Sequence, residues 1–135
     1  MKTLSSILFF TIIIFSLTSC TKESFDKKIV GKWQIKEIYN GIAGSPFRWN
    51  TIPEEYRYSI EFLEDGSFIK TEGPVNLPNV CMGTYSLPNE NEIILSSRCI
   101  NSSQSPNNLN LAHEALTITY EVFEGEIKEK FIKVQ

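Results

Sequence analysis

The sequence contains little of what catalytic and metal sites are usually built from. Its 135 residues include one histidine, His113, and three cysteines, and none of these forms a cluster at metal-ligand spacing. A glycine-rich phosphate loop is also missing. These absences predict that the protein is not an enzyme and holds neither a metal nor a cofactor. A hydrolase whose residues meet through folding alone is the enzymatic alternative.

Positive charge is scarcer than negative charge. Thirteen lysines and arginines stand against 16 aspartates and glutamates, which gives a net charge of -3. Nucleic-acid binding relies on basic surfaces that neutralise phosphates, so this balance argues against a nucleic-acid partner. The length suits one compact domain.

Long apolar runs are absent after residue 20, but one precedes it. Residues 4–17 carry no charge and follow Lys2. The run is about 14 residues long, shorter than the roughly 20 needed for a permanent membrane helix. A short positive start followed by such a run is typical of a signal peptide.

The end of this segment, "LTSC", resembles the bacterial lipobox. The resemblance implies a lipoprotein signal peptide over residues 1–19, cleavage before Cys20, and lipid on that cysteine, which anchors the protein in a membrane. Several acyl chains attached to one residue give stable membrane anchoring. The alternative is an ordinary signal peptide cut near Ser19, with Cys20 as a free thiol. Residues 20–28 are predicted to be a lipidated tether, and residues 29–135 a folded domain.

The predicted location is the bacterial cell envelope. Thr21, rather than aspartate, follows the predicted lipid-bearing cysteine. By the sorting rule of some Gram-negative bacteria, this favours the outer membrane, on its periplasmic or its surface face.

Alternating apolar and polar residues predict strands over residues 31–38, 56–62 and 116–122. The second predicted strand places Tyr56 and Phe62 on the same face. It leads into "EDG", a tight hairpin turn. No convincing helix is predicted in the domain.

The last strand has two possible phases. Ile127 and Phe131 share one face, whereas Ile132 and Val134 share the other. The sequence leaves this register open.

A hairpin is predicted across "CMGTYSLPNENEIILSSRC". With residues 88–92 as the turn, the residues opposite each other pair as Leu87 with Ile93, Tyr85 with Leu95, Gly83 with Ser97, and Cys81 with Cys99. Opposed Cα atoms of this kind lie about 4.5 Å apart, which permits a disulfide. We expect Cys81 and Cys99 to be bonded, because exported proteins meet oxidising conditions. The alternative is a pair of buried, reduced thiols.

The succession of "IVGKWQI", "YSIEFLEDGSF", "GTYSLPNENEIIL" and "KFIKV" resembles the lipocalin-like domains of Bacteroidetes-type lipoproteins. This resemblance implies an all-β fold, a small antiparallel up-and-down barrel of about eight strands. It also implies that Trp33 plugs one end of the barrel. In lipocalins an arginine near the last strand covers this tryptophan, and here Lys133 stands in that region. The side chains implied to face inward are Trp33, Tyr58, Ile60, Phe62, Tyr85, Leu95, Leu116, Ile118 and Tyr120.

Two functions are compatible with such a barrel. An eight-stranded barrel is either filled by its own side chains or holds one small ligand. The first hypothesis is a ligand-binding lipoprotein that takes a small hydrophobic molecule inside the barrel, with the inward residues as the binding site. The alternative is a solid barrel whose 40–55 loop presents Phe47, Arg48 and Trp49 to an envelope protein or a glycan. A second long connection, residues 101–110, is predicted to be a flexible loop.

Overall fold

The computed structural model describes residues 25–73, 78–99 and 106–135. Nearly all regular structure in these residues is β. The elements, in chain order, are helix α1 (Phe25–Ile29), β1 (Gly31–Asn40), β2 (Arg48–Thr51), a 3-10 helix (Glu54–Tyr56), β3 (Ser59–Phe62), β4 (Ser67–Glu72), β5 (Asn79–Asn89), β6 (Glu92–Ser97), β7 (Asn107–Ala112), β8 (Ala115–Val122) and β9 (Gly125–Lys133). The predicted signal peptide, Cys20 and the first part of the tether lie outside the described residues.

Eight strands form a closed antiparallel barrel, which confirms the predicted fold class. Strands β3 to β8 each pair with the next strand along the chain, and β9 returns to pair with β1. β1 is long enough to pair with two strands along its other edge. Its first half pairs with β3 and its second half with β2. β2 therefore extends the wall beside β3.

The alternation of side chains explains why the barrel closes around an apolar core. Trp33 and Ile35 point inward from β1, and Ile60 and Phe62 from β3. Inward positions on the other strands are also apolar for the most part, so closure buries one continuous cluster. The remaining fully buried members are Ile29, Phe68, Ile93, Leu95, Leu109, Leu116, Ile118 and Phe131.

The β5–β6 hairpin has the predicted register over most of its length. Gly83 lies opposite Ser97, and Tyr85 lies opposite Leu95. Beyond these pairs, the predicted turn over residues 88–92 is wrong. β5 continues to Asn89, which pairs with Glu92, so Leu87 and Pro88 together face Ile93. Two residues opposite one form a β-bulge, and a bulge tolerates proline because its ladder hydrogen bond is already interrupted.

The cysteines of this hairpin are bonded. Cys81 and Cys99 form a disulfide with their Cα atoms 5.9 Å apart. Cys81 is buried on the inner face of β5, whereas Cys99 follows the end of β6 and is exposed. The bond therefore ties the first part of β5 to the chain that leaves β6.

Three other predictions about the strands need correction or completion. Tyr56 belongs to the 3-10 helix and is 73% exposed, since β3 begins later, at Ser59. Part of the predicted 101–110 loop is strand β7, whose Leu109 is buried. Phe131 on β9 is buried and Val134, just after the strand, is exposed, so the phase that turns Ile127 and Phe131 inward is the one adopted.

The turns follow local chemistry. At the predicted "EDG" turn, Gly66 has a positive φ of 82° and the backbone N–H of Ser67 donates to the Asp65 carboxylate at 2.9 Å. Gly125 serves a different purpose. A Cβ atom there would lie 2.1 Å from the Gly41 carbonyl oxygen, so the chain after β1 can cross close to β9 because residue 125 has no side chain.

Helix α1 closes one end of the barrel. Ile29 is fully buried, and its carbonyl accepts a hydrogen bond of 2.7 Å from the Trp33 indole N–H. Five residues are too few to produce a recognisable helical period, so this helix could not be predicted from periodicity. We call this the helix end and the opposite one the loop end. Neither helix in the described residues has the length and apolar character of a membrane span.

Candidate functional site

All nine side chains predicted to face inward belong to the barrel core or pack against it. Six of them are almost completely buried, and the three tyrosines are partly buried. They divide between a group of packed aromatic side chains at the helix end and a cavity toward the loop end. This division determines which of them can meet a ligand.

Aromatic side chains pack together at the helix end. The Lys133 Nζ lies 5.3 Å from the centre of the Trp33 ring, so this lysine covers the tryptophan where lipocalins use an arginine. Phe62 packs edge-on against Tyr85, with ring centres 4.9 Å apart. The Tyr85 hydroxyl donates to the carbonyl of Leu63 at 2.9 Å. Trp33, Phe62 and Tyr85 therefore act as core residues.

A cavity of about 240 Å³, open to solvent on one side, lies in the barrel toward the loop end. Most of its lining is apolar, but two charged residues contribute to it. The lining residues are Ile60, Lys70, Leu95, Tyr120, Ile127, Glu129 and Phe131. Three of these, Ile60, Leu95 and Tyr120, are among the predicted binding residues. The pocket is smaller than the roughly 300–1,000 Å³ of typical drug-sized sites, so it fits a small molecule.

A carboxylate held by two tyrosines is the main polar feature of this cavity. The Tyr58 hydroxyl donates to Glu129 Oε1 at 2.5 Å, and the Tyr120 hydroxyl donates to Oε2 at 3.0 Å. Tyr120 and Glu129 come from the paired strands β8 and β9, whereas Tyr58 precedes β3. Three separate parts of the chain therefore fix the position of one carboxylate.

Burial and the nearby Glu129 carboxylate keep the hydroxyls of Tyr58 and Tyr120 protonated. Burial raises the pKa of Tyr58, and the neighbouring Glu129 carboxylate raises it further. The pKa of Tyr120 is raised for the same two reasons, with burial again the larger cause. A phenolate at either position would lose its hydration and would be repelled by the negative charge of Glu129. Both tyrosines therefore act as hydrogen-bond donors across the neutral pH range.

These shifts predict a loss of stability in alkaline solution. In the unfolded chain each tyrosine loses its proton above a pKa of about 10, while the folded protein keeps both protons. The unfolded state then binds fewer protons, so the free energy of unfolding falls as the pH rises past about 10, by up to about 1.4 kcal/mol per pH unit for each tyrosine. Urea midpoints measured from about pH 9 to about pH 11 test this.

The matched control carries Tyr58→Phe and Tyr120→Phe, which keep both rings and remove both titrating groups. Its stability is expected to fall less steeply above pH 10 than that of the parent, because other alkaline groups titrate equally in the two proteins. Identical slopes in parent and variant would contradict the burial of the two hydroxyls.

Lys70 is the second charged residue of the lining. Its Nζ forms an ion pair of 2.7 Å with Glu72 and lies 4.4 Å from the centre of the Tyr58 ring. The positive charge of Lys70 is therefore balanced by a neighbour on the same strand.

The predicted loop residues do not all form a loop. Arg48 and Trp49 belong to β2, and the Trp49 ring lies 5.6 Å from Tyr39 on the outer face of β1. Phe47 is 67% exposed, and Trp49 is 42% exposed. Trp49 thus partly covers the outside of the wall and is separate from the cavity.

Other candidates lie away from the cavity. His113 is exposed in the turn between β7 and β8, with a positive φ of 56°. Within the described ranges, no three histidine, cysteine, aspartate or glutamate side chains are placed to hold a metal ion. Cys20, the predicted lipid site, lies outside those ranges.

Sequence reasoning missed four cavity residues: Lys70, Ile127, Glu129 and Phe131. Three of them lie on β9, whose phase the sequence left open. Once Ile127 and Phe131 are known to face inward, alternation places Glu129 between them on the same face. A signal for Glu129 was therefore present, but it depended on choosing that phase.

Comparison with known proteins adds no relative: no family model, no curated protein and no solved structure matches the chain. The closed eight-stranded barrel is compatible with a lipocalin-like domain, and membership of that family stays a prediction.

Proposed function

We propose that this protein is a lipid-anchored barrel of the bacterial envelope, in the outer membrane, that reversibly binds a small and largely apolar molecule. The observation that carries the proposal is the cavity of about 240 Å³. Protein interiors are packed closely enough that voids larger than a water molecule are few. The pocket opens to solvent on one side, and between Ile60, Leu95 and Phe131 it leaves room for a small ligand.

The envelope part of the proposal rests on the first 20 residues. The apolar run and "LTSC" support export and lipid attachment at Cys20. The Cys81–Cys99 disulfide is consistent with an oxidising compartment outside the cytoplasm.

Binding rather than catalysis is supported by the tyrosines of the cavity. A general acid or base works best with a pKa close to the working pH. The pKa values of Tyr58 and Tyr120 are instead raised by burial and by Glu129. We therefore propose a role for these groups in orienting a ligand.

The rival role uses the outer surface. Exposure of Phe47 and Arg48 supports contact with an envelope protein or a glycan. Trp49 weakens this case, because part of its ring surface is already used against Tyr39. The barrel cavity remains the better-supported site.

Ligand capture can be tested by native mass spectrometry. The exported protein carrying Cys20→Ser is incubated with a solvent extract of bacterial envelopes and then measured folded and denatured. We expect a discrete extra mass on the folded protein that denaturation releases. Ile127→Trp places an indole in the cavity wall and should abolish this mass.

The control for this variant is Val80→Trp, which adds the same side chain at a position that is 52% exposed. It should keep the extra mass. A second control, Arg48→Ala with Trp49→Ala, should also keep it. A bare folded mass after incubation, or a mass retained equally by Ile127→Trp, would contradict binding in the cavity.

A further inference from the structure

Glu129 has unused capacity to bind a ligand. An ionised carboxylate accepts about four hydrogen bonds through its two oxygens. The hydroxyls of Tyr58 and Tyr120 supply one to each oxygen, at 2.5 and 3.0 Å. The same carboxylate lines the cavity. A hydrogen-bond donor that enters the cavity can therefore bind the Glu129 carboxylate without displacing either tyrosine.

Among the charged residues that the structure describes around the cavity, Glu129 has no oppositely charged partner. Lys70 pairs with Glu72. On β9, Lys128 and Lys130 pair with Glu126 and Glu37, and Lys133 lies over the Trp33 ring at the helix end. In the part of the chain that the structure describes, no lysine or arginine forms an ion pair with Glu129. The cavity lining thus carries a carboxylate that is hydrogen-bonded by neutral groups alone.

Partial burial makes this imbalance matter for binding. Glu129 is half-buried, and the wall around it includes Ile60, Leu95 and Phe131. Opposite charges attract more strongly beside low-dielectric walls than in bulk water. A cation in the cavity would therefore gain attraction from Glu129, whereas an anion would be repelled by it. Lys70, the lining cation, is already balanced by Glu72.

We infer that the ligand is a small organic cation, in which a protonated amine binds the Glu129 carboxylate and an apolar body occupies the space between Ile60, Leu95 and Phe131. The inference rests on the proposed function and narrows it. It replaces a purely hydrophobic ligand with one that has a single positive head. The raised pKa values of Tyr58 and Tyr120 agree with it, because both hydroxyls remain hydrogen-bond donors to Glu129.

Three probes of similar size and different charge test the inference. Hexylamine is protonated near neutral pH, 1-hexanol is neutral and hexanoate is negative. Binding is followed by amide chemical shifts of the ¹⁵N-labelled exported protein with Cys20→Ser. We expect hexylamine to bind at least about tenfold more tightly than 1-hexanol, as a hydrogen bond to a charged group implies, and hexanoate to bind most weakly.

Glu129→Gln removes the charge and keeps an amide oxygen to accept from a tyrosine. In this variant the preference for hexylamine over 1-hexanol should disappear. The matched control is Glu126→Gln on the same strand, which removes the same charge beside Lys128 on the outer face. Its preference for hexylamine should be unchanged, and the amide spectrum shows whether each variant is folded.

Each other result has a distinct meaning. If hexylamine and 1-hexanol bind the parent equally well, the cavity binds ligands but the cation inference is overturned. The inference is also overturned if Glu126→Gln lowers the preference as much as Glu129→Gln, since the effect would then come from overall charge. If none of the three probes shifts resonances of cavity residues, the proposed function fails and the inference fails with it.

Discussion

Trp33→Ala is expected to lower the free energy of unfolding by about 3–5 kcal/mol, the usual range for removing a buried aromatic side chain. Trp33 is 1% exposed at the helix end of the barrel. Its removal opens a void beneath Lys133, whose Nζ lies over the ring. It also leaves the carbonyl of fully buried Ile29 without the indole donor at 2.7 Å. An unsatisfied buried carbonyl adds to the loss from the void itself.

The chain supplies its own control, because its other tryptophan, Trp49, lies on the outer face of the wall. Trp49→Ala removes the same side chain where it is 42% exposed and contacts Tyr39. A loss of about 1 kcal/mol is expected there, from that ring contact and partial burial. Urea unfolding followed by far-ultraviolet circular dichroism measures both variants without relying on tryptophan fluorescence. Equal losses would show that Trp33 does not close the barrel.

Loss of the disulfide is the second large effect. Cys81→Ala with Cys99→Ala should lower the free energy of unfolding by about 3 kcal/mol. The bonded cysteines are separated by 18 positions in the sequence. In the chain-entropy description, the bond restricts the unfolded chain more than the folded one, in which the β5–β6 hairpin already holds the two segments together.

The stability of the reduced parent protein distinguishes the effect of the disulfide bond from the effect of replacing the cysteine side chains. It keeps both cysteines and loses the link, so its stability should fall close to that of the double variant. The mass of the denatured, unreduced protein provides a direct check, since the bonded chain is two hydrogens lighter than the reduced chain. A full reduced mass after export, or an unchanged urea midpoint after reduction, would contradict a stabilising bond.

The strands that the sequence predicted best are those with one apolar and one polar face. Alternation placed Trp33, Ile60 and Ile118 correctly because burial of one face forces a period of two. Counting outward from a turn at residues 88–92 aligned Tyr85 with Leu95. It failed at the Pro88 bulge, where an extra residue changes the register without changing the hydrophobic pattern.

Strand β7 and the inward position of Glu129 were not predicted from the sequence because both involve polar residues. β7, "NNLNLA", resembles a loop in composition, yet it forms a strand because its backbone pairs with β8 and Leu109 faces the core. Glu129 lies inside the barrel because Tyr58 and Tyr120 offset part of the loss of its hydration, and the contact with Tyr58 joins residues far apart in the chain. Periodicity reports local pattern and carries no information on such long-range partners.

The position of α1 determines how an anchored molecule would be oriented. The chain enters the barrel at the helix end, whereas the cavity lies toward the loop end. Four residues separate Cys20 from Phe25, a reach of about 17 Å when fully extended. If Cys20 carries lipid, the helix end of the barrel lies nearer the bilayer and the cavity projects into the aqueous compartment. A ligand would then be exchanged with dissolved molecules or with a neighbouring protein, and not drawn sideways out of the membrane to which the barrel is attached.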